Sequence, residues 1–156
     1  VNDAANAGVD GLIMVDLPPE EDDELCDPAR TAGLHWIRLV TPTTNESRLS
    51  DVLANSSGFV YYVSIAGITG TQSAAAASIE KAVHHIKAKS DLPVAVGFGI
   101  KTREQVKEIG NIAEGVVVGS AIVNEIEQNL DPNGQPKAHL VESVISLVRS
   151  LATDSV

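Results

Sequence analysis

Five short apolar runs, each followed by a longer segment with helical punctuation, constrain this chain more than any other feature. They read Gly-Leu-Ile-Met-Val at 11–15, His-Trp-Ile-Arg-Leu-Val at 35–40, Phe-Val-Tyr-Tyr-Val at 59–63, Pro-Val-Ala-Val at 93–96 and Glu-Gly-Val-Val-Val at 114–118. Rich in β-branched residues and mostly apolar on both faces, they predict strands buried on two sides in a parallel sheet. Between them, Pro-Pro-Glu-Glu-Asp-Asp at 18–23 places acids in a first helical turn, where they complement the helix dipole. Thr43 with Glu46, and Thr102 with Gln105, fit the capping box. Gly33 and Gly110 stand where C-terminal caps belong. A short helix is expected from Ser120 to near Asn129, then a turn at Asp131-Pro132-Asn133-Gly134. A last helix follows, with Leu140, Val144, Leu147, Val148 and Leu151 on one apolar stripe.

Strand–helix alternation along the whole chain gives the α/β class. An open doubly wound sheet and part of a (β/α)₈ barrel both fit, and in either one ligands gather at the C-terminal ends of the strands. Composition narrows the ligand. The 156 residues carry net charge −10, with 11 Lys+Arg against 21 Asp+Glu, which argues against a nucleic-acid or anionic-membrane partner. The lone cysteine, Cys26, excludes an internal disulfide framework and fits a reducing compartment. No apolar run approaches the roughly 20 residues that span a bilayer, and the opening residues do not read as a secretory signal.

The strand ends hold the candidate chemistry. Asp16 follows the first run directly and is the one carboxylate so placed, so it is a candidate general acid or base; a helix N-cap or an interface contact are the plainer roles. The third run leads into Ser64-Ile65-Ala66-Gly67-Ile68-Thr69-Gly70-Thr71, the fourth into Gly97-Phe98-Gly99-Ile100 and the fifth into Gly119-Ser120-Ala121-Ile122. Glycine lets a backbone approach a ligand closely, and a helix N-terminus behind such a loop favours an anion. Each glycine alone could be an ordinary turn. Two consecutive glycine-bearing strand ends followed by a short extra helix match the phosphate site of many barrels. Of Tyr61 and Tyr62, one must face inward and the other must meet helices.

Other chemistries find little support. Gly97-Phe98-Gly99 lacks the third glycine of a dinucleotide fingerprint, no Walker lysine occurs, and no serine-elbow motif appears. His84 and His85 are adjacent, about 100° apart on a helix, and cannot share a metal in cis. His35 and His139 have no partner at ligand spacing, and Cys26 reads as structural. The sequons at Asn45 and Asn55 are chance matches without a secretory signal.

Taken together, Gly8-Val9-Asp10-Gly11 leading to Asp16-Leu17-Pro18, then Tyr61-x-x-Ser64-x-x-Gly67-Ile68-Thr69-Gly70, Gly97-Phe98-Gly99-Ile100 and Gly119-Ser120-Ala121-Ile122-Val123 resemble the α subunit of tryptophan synthase along essentially the whole chain. The resemblance implies a (β/α)₈ barrel that cleaves indole-3-glycerol phosphate to indole and glyceraldehyde 3-phosphate. It also implies a PLP-dependent β subunit as partner in an α2β2 complex, with no cofactor in the α chain itself. By the same resemblance Tyr61 lies near the indole ring, Thr69 helps order the closed site, and Gly70, Gly99, Gly119 and Ser120 reach the phosphate. Asp16 and Pro18 fall in the loop that faces the β subunit, so Asp16 is reassigned from catalyst to contact. Where many members carry Arg-Ser before the glycine matched by Gly67, this chain has Ile65-Ala66.

The family's two catalytic carboxylates, a glutamate and an aspartate, would precede Val1. Residues 1–156 are therefore expected to be one domain, the C-terminal part of a barrel from the end of helix 3 through strands 4 to 8, and inactive alone. The length is roughly 100 residues short of the ~250 that such a barrel typically needs. The implied location is the cytoplasm, or the plastid stroma in a plant. Two alternatives remain at this point: a non-catalytic half-barrel that docks on a β subunit or pairs with itself, and another phosphate-binding barrel such as a sugar-phosphate isomerase.

Overall fold

The computed structural model describes residues 1–64, 72–97 and 99–152. Five strands form one parallel sheet: β1 (Gly11–Ile13), β2 (His35–Val40), β3 (Val60–Val63), β4 (Val94–Gly97) and β5 (Gly115–Val117). The helices are α1 (Asn2–Asn6), α2 (Asp23–Thr31), α3 (Glu46–Ala54), α4 (Gln72–Lys87), α5 (Arg103–Gly110), α6 (Ser120–Gln128) and α7 (Leu140–Leu151), with a 3₁₀ turn at Pro19–Glu21. All five apolar runs contain a strand; the first ends at Ile13, so Met14 and Val15 already belong to the loop.

Sheet order settles the choice of architecture. Consecutive strands are neighbours throughout, β1-β2-β3-β4-β5, and every pair is parallel. A doubly wound sheet reverses direction at a switch point, whereas this one keeps winding the same way, as a barrel wall does. The two faces differ accordingly. Trp36, Val60, Tyr62, Val94 and Val96 point to the helical layer and are buried. On the other face, the barrel interior, Ile13 is 47% and Val117 36% exposed. The larger core joins Val60, Tyr62, Val94 and Val96 to Leu49 and Val52 of α3, Ile79, Val83 and Ile86 of α4, and Ile109 of α5. A smaller one joins Trp36 and Leu34 to Cys26 and Ala29 of α2.

Local punctuation held in some places and gave way in others. Thr102 and Gln105 form the expected capping box: the Gln105 N–H donates to Thr102 Oγ1 at 3.3 Å, and the Thr102 N–H donates to Gln105 Oε1 at 3.2 Å. Gly33 takes φ +82° directly after α2, as a terminating glycine should. At α3 the cap is Asn45, whose Oδ1 accepts from the Arg48 N–H at 2.9 Å, while Thr43 pairs with Thr41 instead. Gly110 is the last residue of α5, and Asn111 caps it. Along α7, Leu151 is buried and Leu140, Val144 and Leu147 are half-buried, but Val148 is 42% exposed because no element described covers that flank.

Candidate functional site

The C-terminal ends of the strands collect the residues singled out in the sequence. Val63 lies opposite Gly97 in the β3–β4 register, and Gly97 lies opposite Val117 in the β4–β5 register, so the ends of β3, β4 and β5 are side by side. Tyr62 is 3% exposed within the helix-side core, and its burial raises the pKa of its hydroxyl above the ordinary tyrosine value. Its neighbour Tyr61 therefore takes the interior face, half-buried.

Gly97 is what gives Tyr61 its place. A Cβ at residue 97 would stand 2.5 Å from the Tyr61 hydroxyl oxygen, 2.7 Å from its ring and 2.9 Å from the Val117 Cβ. No side chain larger than hydrogen fits unless the ring moves. The buried Ser64, just past β3, fastens the same spot: its Oγ–H and its N–H both donate to the Gly97 carbonyl, each at 3.0 Å. The aromatic ring and the start of the glycine-bearing loop after β4 are thus one packed unit.

Two residues further on, Gly99 adopts φ +82°, a conformation that favours glycine, and it is exposed. Gly119 and Ser120, both exposed, open α6: Gly119 is its N-cap and no side chain caps it. The first backbone N–H groups of a helix lack intrahelical acceptors, so this end presents donors and the positive end of the dipole. A Cβ at Gly119 would meet nothing within 4 Å, which leaves the approach open. Thr69 and Gly70, with Ile65 and Ala66, lie outside the described residues.

Asp16 and Pro18 stand apart from this group, after β1 at one margin of the sheet. Both are exposed, and they border a cleft of about 430 Å³ shared with Leu17, Arg38, Leu39 and Arg48. Asp16 caps no helix; the 3₁₀ turn is preceded by Pro18 and α2 by Asp22. Behind the loop lies a group that sequence reasoning missed. Asp22, 0% exposed, accepts from Trp36 Nε1 at 3.2 Å through Oδ2 and forms an ion pair there with Arg38, itself 4% exposed. Burial, and then the nearby Arg48 charge, lower the Arg38 pKa from its ordinary value. The available signal was an arginine in the middle of an apolar strand run. Among the described residues no cluster of three or more His, Cys, Asp or Glu could hold a metal, and no helix is long and apolar enough to cross a membrane.

Known proteins share this fold. The family model described as tryptophan synthase alpha chain matches residues 1–152. The tryptophan synthase subunit alpha from Campylobacter jejuni superposes with a TM-score of 0.82 at 30% identity, covering 96% of this chain and 56% of that one. The tryptophan synthase alpha chain from Legionella pneumophila gives 0.78 at 35% identity, covering 96% and 53%. A Mycobacterium tuberculosis tryptophan synthase structure gives 0.79 at 35%, again covering 96% and 53%. The chain thus spans about half the length of these relatives, and over that half it shares their fold. It belongs to the tryptophan synthase α chain family.

Proposed function

We propose that the protein carrying this chain works in tryptophan biosynthesis as the lyase that cleaves indole-3-glycerol phosphate, by a retro-aldol reaction, to indole and glyceraldehyde 3-phosphate. In this reading residues 1–156 hold the phosphate and the indole. The observation that carries it is the pairing of the exposed, left-handed Gly99 with the uncapped start of α6 at Gly119 and Ser120, beside Tyr61 on the interior face. Backbone N–H donors and a helix dipole suit a phosphate dianion. Fixing that remote group positions the bond to be broken, which is how binding energy lowers a barrier.

The acid–base groups come from the half of the relatives' length that this chain does not match. There one carboxylate moves protons at the indole ring and the glycerol hydroxyl, and the other stabilises the indole nitrogen. This chain uses no cofactor of its own, and PLP belongs to the β subunit, which receives the indole across the loop of Asp16 and Pro18. Thr69 and Gly70 serve the closed site and the phosphate. The protein works in the cytoplasm, or in the plastid stroma if its source is a plant.

Calorimetric titration of the full-length protein with indolepropanol phosphate tests the reading: saturable binding is expected, weakened about tenfold by Ser120→Asp, which sets a like charge against the phosphate. No binding by the wild type would sink it. Turnover of indole-3-glycerol phosphate by the 156-residue chain alone would overturn the division of labour.

A second reading, a half-barrel whose role is to dock on another chain, draws on the exposed interior face at Ile13 and Val117 and on exposed Val15 in the loop after β1. Size-exclusion chromatography with and without the β subunit separates the two. A stable monomer that ignores the β subunit rules this one out.

A further inference from the structure

A buried ion pair is a costly thing to place between a sheet and a helix, because desolvation of both charges offsets much of their attraction. The polar side chains buried in the described structure are Asp22, Arg38 and Ser64, and Ser64 is accounted for by the Gly97 carbonyl. Asp22 and Arg38 ask for a reason. Asp22 is the N-cap residue of α2, yet its side chain makes no capping hydrogen bond. It turns inward, and its Oδ2 takes both the Trp36 indole N–H, at 3.2 Å, and the Arg38 Nη2 charge. The Arg38 guanidinium also lies over the Trp36 ring, 5.4 Å from its centroid. Even so, Asp22 Oδ1 and Arg38 Nε find no hydrogen-bond partner among the described residues, so the pair is not arranged for its own stability.

What remains is the other arm of Arg38. Its Nη1 donates to the carbonyl of Leu17 at 2.6 Å. Leu17 stands between Asp16 and Pro18, so the guanidinium holds from behind a stretch whose outer side is open: Val15 is 68% exposed, and Asp16 and Pro18 are exposed beside it. Arg48, paired with Glu20, braces the far end of the same loop from α3. We infer that Arg38, fixed by Asp22 and Trp36, is a positioning residue that preforms the Val15 to Pro18 surface for docking onto the partner subunit. This rests on the proposed β-subunit role of that loop. It adds a residue from the opposite side of the sheet, outside the barrel interior where substrate lies. A fork is needed rather than a point charge, since one guanidinium serves Asp22 and the Leu17 carbonyl together while an ammonium cannot match both. A preformed loop pays less ordering entropy on association.

The test uses the full-length protein and its purified β subunit, with affinity by calorimetry and melting temperature measured side by side. Arg38→Met combined with Asp22→Asn removes both buried charges and still leaves the Trp36 N–H an acceptor. It is expected to melt at or above the wild-type temperature while its Kd for the β subunit rises about tenfold, and its unassisted turnover is unchanged. Arg38→Lys, which keeps the charge, is expected to lose affinity to a similar extent. A purely structural role would move melting and leave affinity alone, so wild-type affinity in either folded variant overturns the inference. Failure of the wild type itself to bind the β subunit overturns the underlying reading at the control, and the inference with it.

Discussion

Tyr61 and Tyr62 are chemically identical neighbours, and strand alternation sends them to opposite fates: Tyr62 into the helix-side core, Tyr61 onto the interior face over Gly97. The alternation is legible in sequence because the period of a strand is two. The reason residue 97 is glycine is not, since it depends on a ring arriving from another strand. Gly97→Ala is expected to destabilise the protein by about 2 kcal/mol through overpacking, and to weaken binding of indolepropanol phosphate by displacing Tyr61. Urea unfolding and titration measure the two effects separately, and an unchanged unfolding midpoint would show that the ring yields freely. Asp22 teaches the same lesson. As the third acid in a row of five, residues 20–24, it reads as a helix-dipole residue, yet it is buried against Trp36 and Arg38. Its side-chain direction follows from the position of β2, which local sequence does not encode.

Among the elements, ends are better specified than environments. The Thr102–Gln105 box starts α5 as its spacing implies, because every partner lies within one turn. Thr102→Ala is expected to cost about 1 kcal/mol, read as a lowered urea midpoint. Glu114 works across elements instead. Its carboxylate accepts from Lys87 Nζ of α4 at 2.7 Å and from the Val94 N–H at the start of β4 at 2.8 Å. The Lys87 hydrogen bond first, and then the Val94 N–H, hold its pKa below the usual carboxylate value. A lowered carboxylate pKa contributes stability that is present above the unfolded-state pKa and is lost as pH falls through the folded one. Glu114→Gln should therefore lower stability by about 1 kcal/mol at pH 7, a modest figure because the side chain is half exposed. The gap between wild type and variant should close in acid. Urea titrations at neutral pH and well below the carboxylate range check this; a gap that persists in acid contradicts it.

At the scale of the whole molecule, the sheet has two margins and a face without cover. Among the described residues β1 pairs only with β2, and β5 only with β4. Ile13, Val15 and Val117 are exposed on or beside the interior face, and Val123, Val141 and Val148 on the last two helices. Exposed apolar area next to unpaired strand edges drives association. The isolated 156-residue chain is expected to self-associate in sedimentation velocity. Val15→Lys combined with Val117→Lys should raise the concentration at which it does so about tenfold. A monomer over the whole range would mean that the exposed face is tolerated by water.

Strand number, the strand–helix alternation and the glycine-bearing strand ends could be read directly from the chain, because each rests on local chemistry: β-branched runs, helix punctuation and backbone freedom at glycine. The same information left the doubly wound sheet and the barrel level, since strand order is a relation between segments, and the continuous β1-to-β5 order decided between them. The glycines proposed to reach the phosphate, Gly99 and Gly119, were visible for a similar reason, their signal being their own missing side chains. Gly97 beneath Tyr61, Ser64 on the Gly97 carbonyl, and Arg38 behind Leu17 were hidden, because each is defined by a partner 21 to 36 residues away. Contacts at that range exist only once the sheet has brought the segments together.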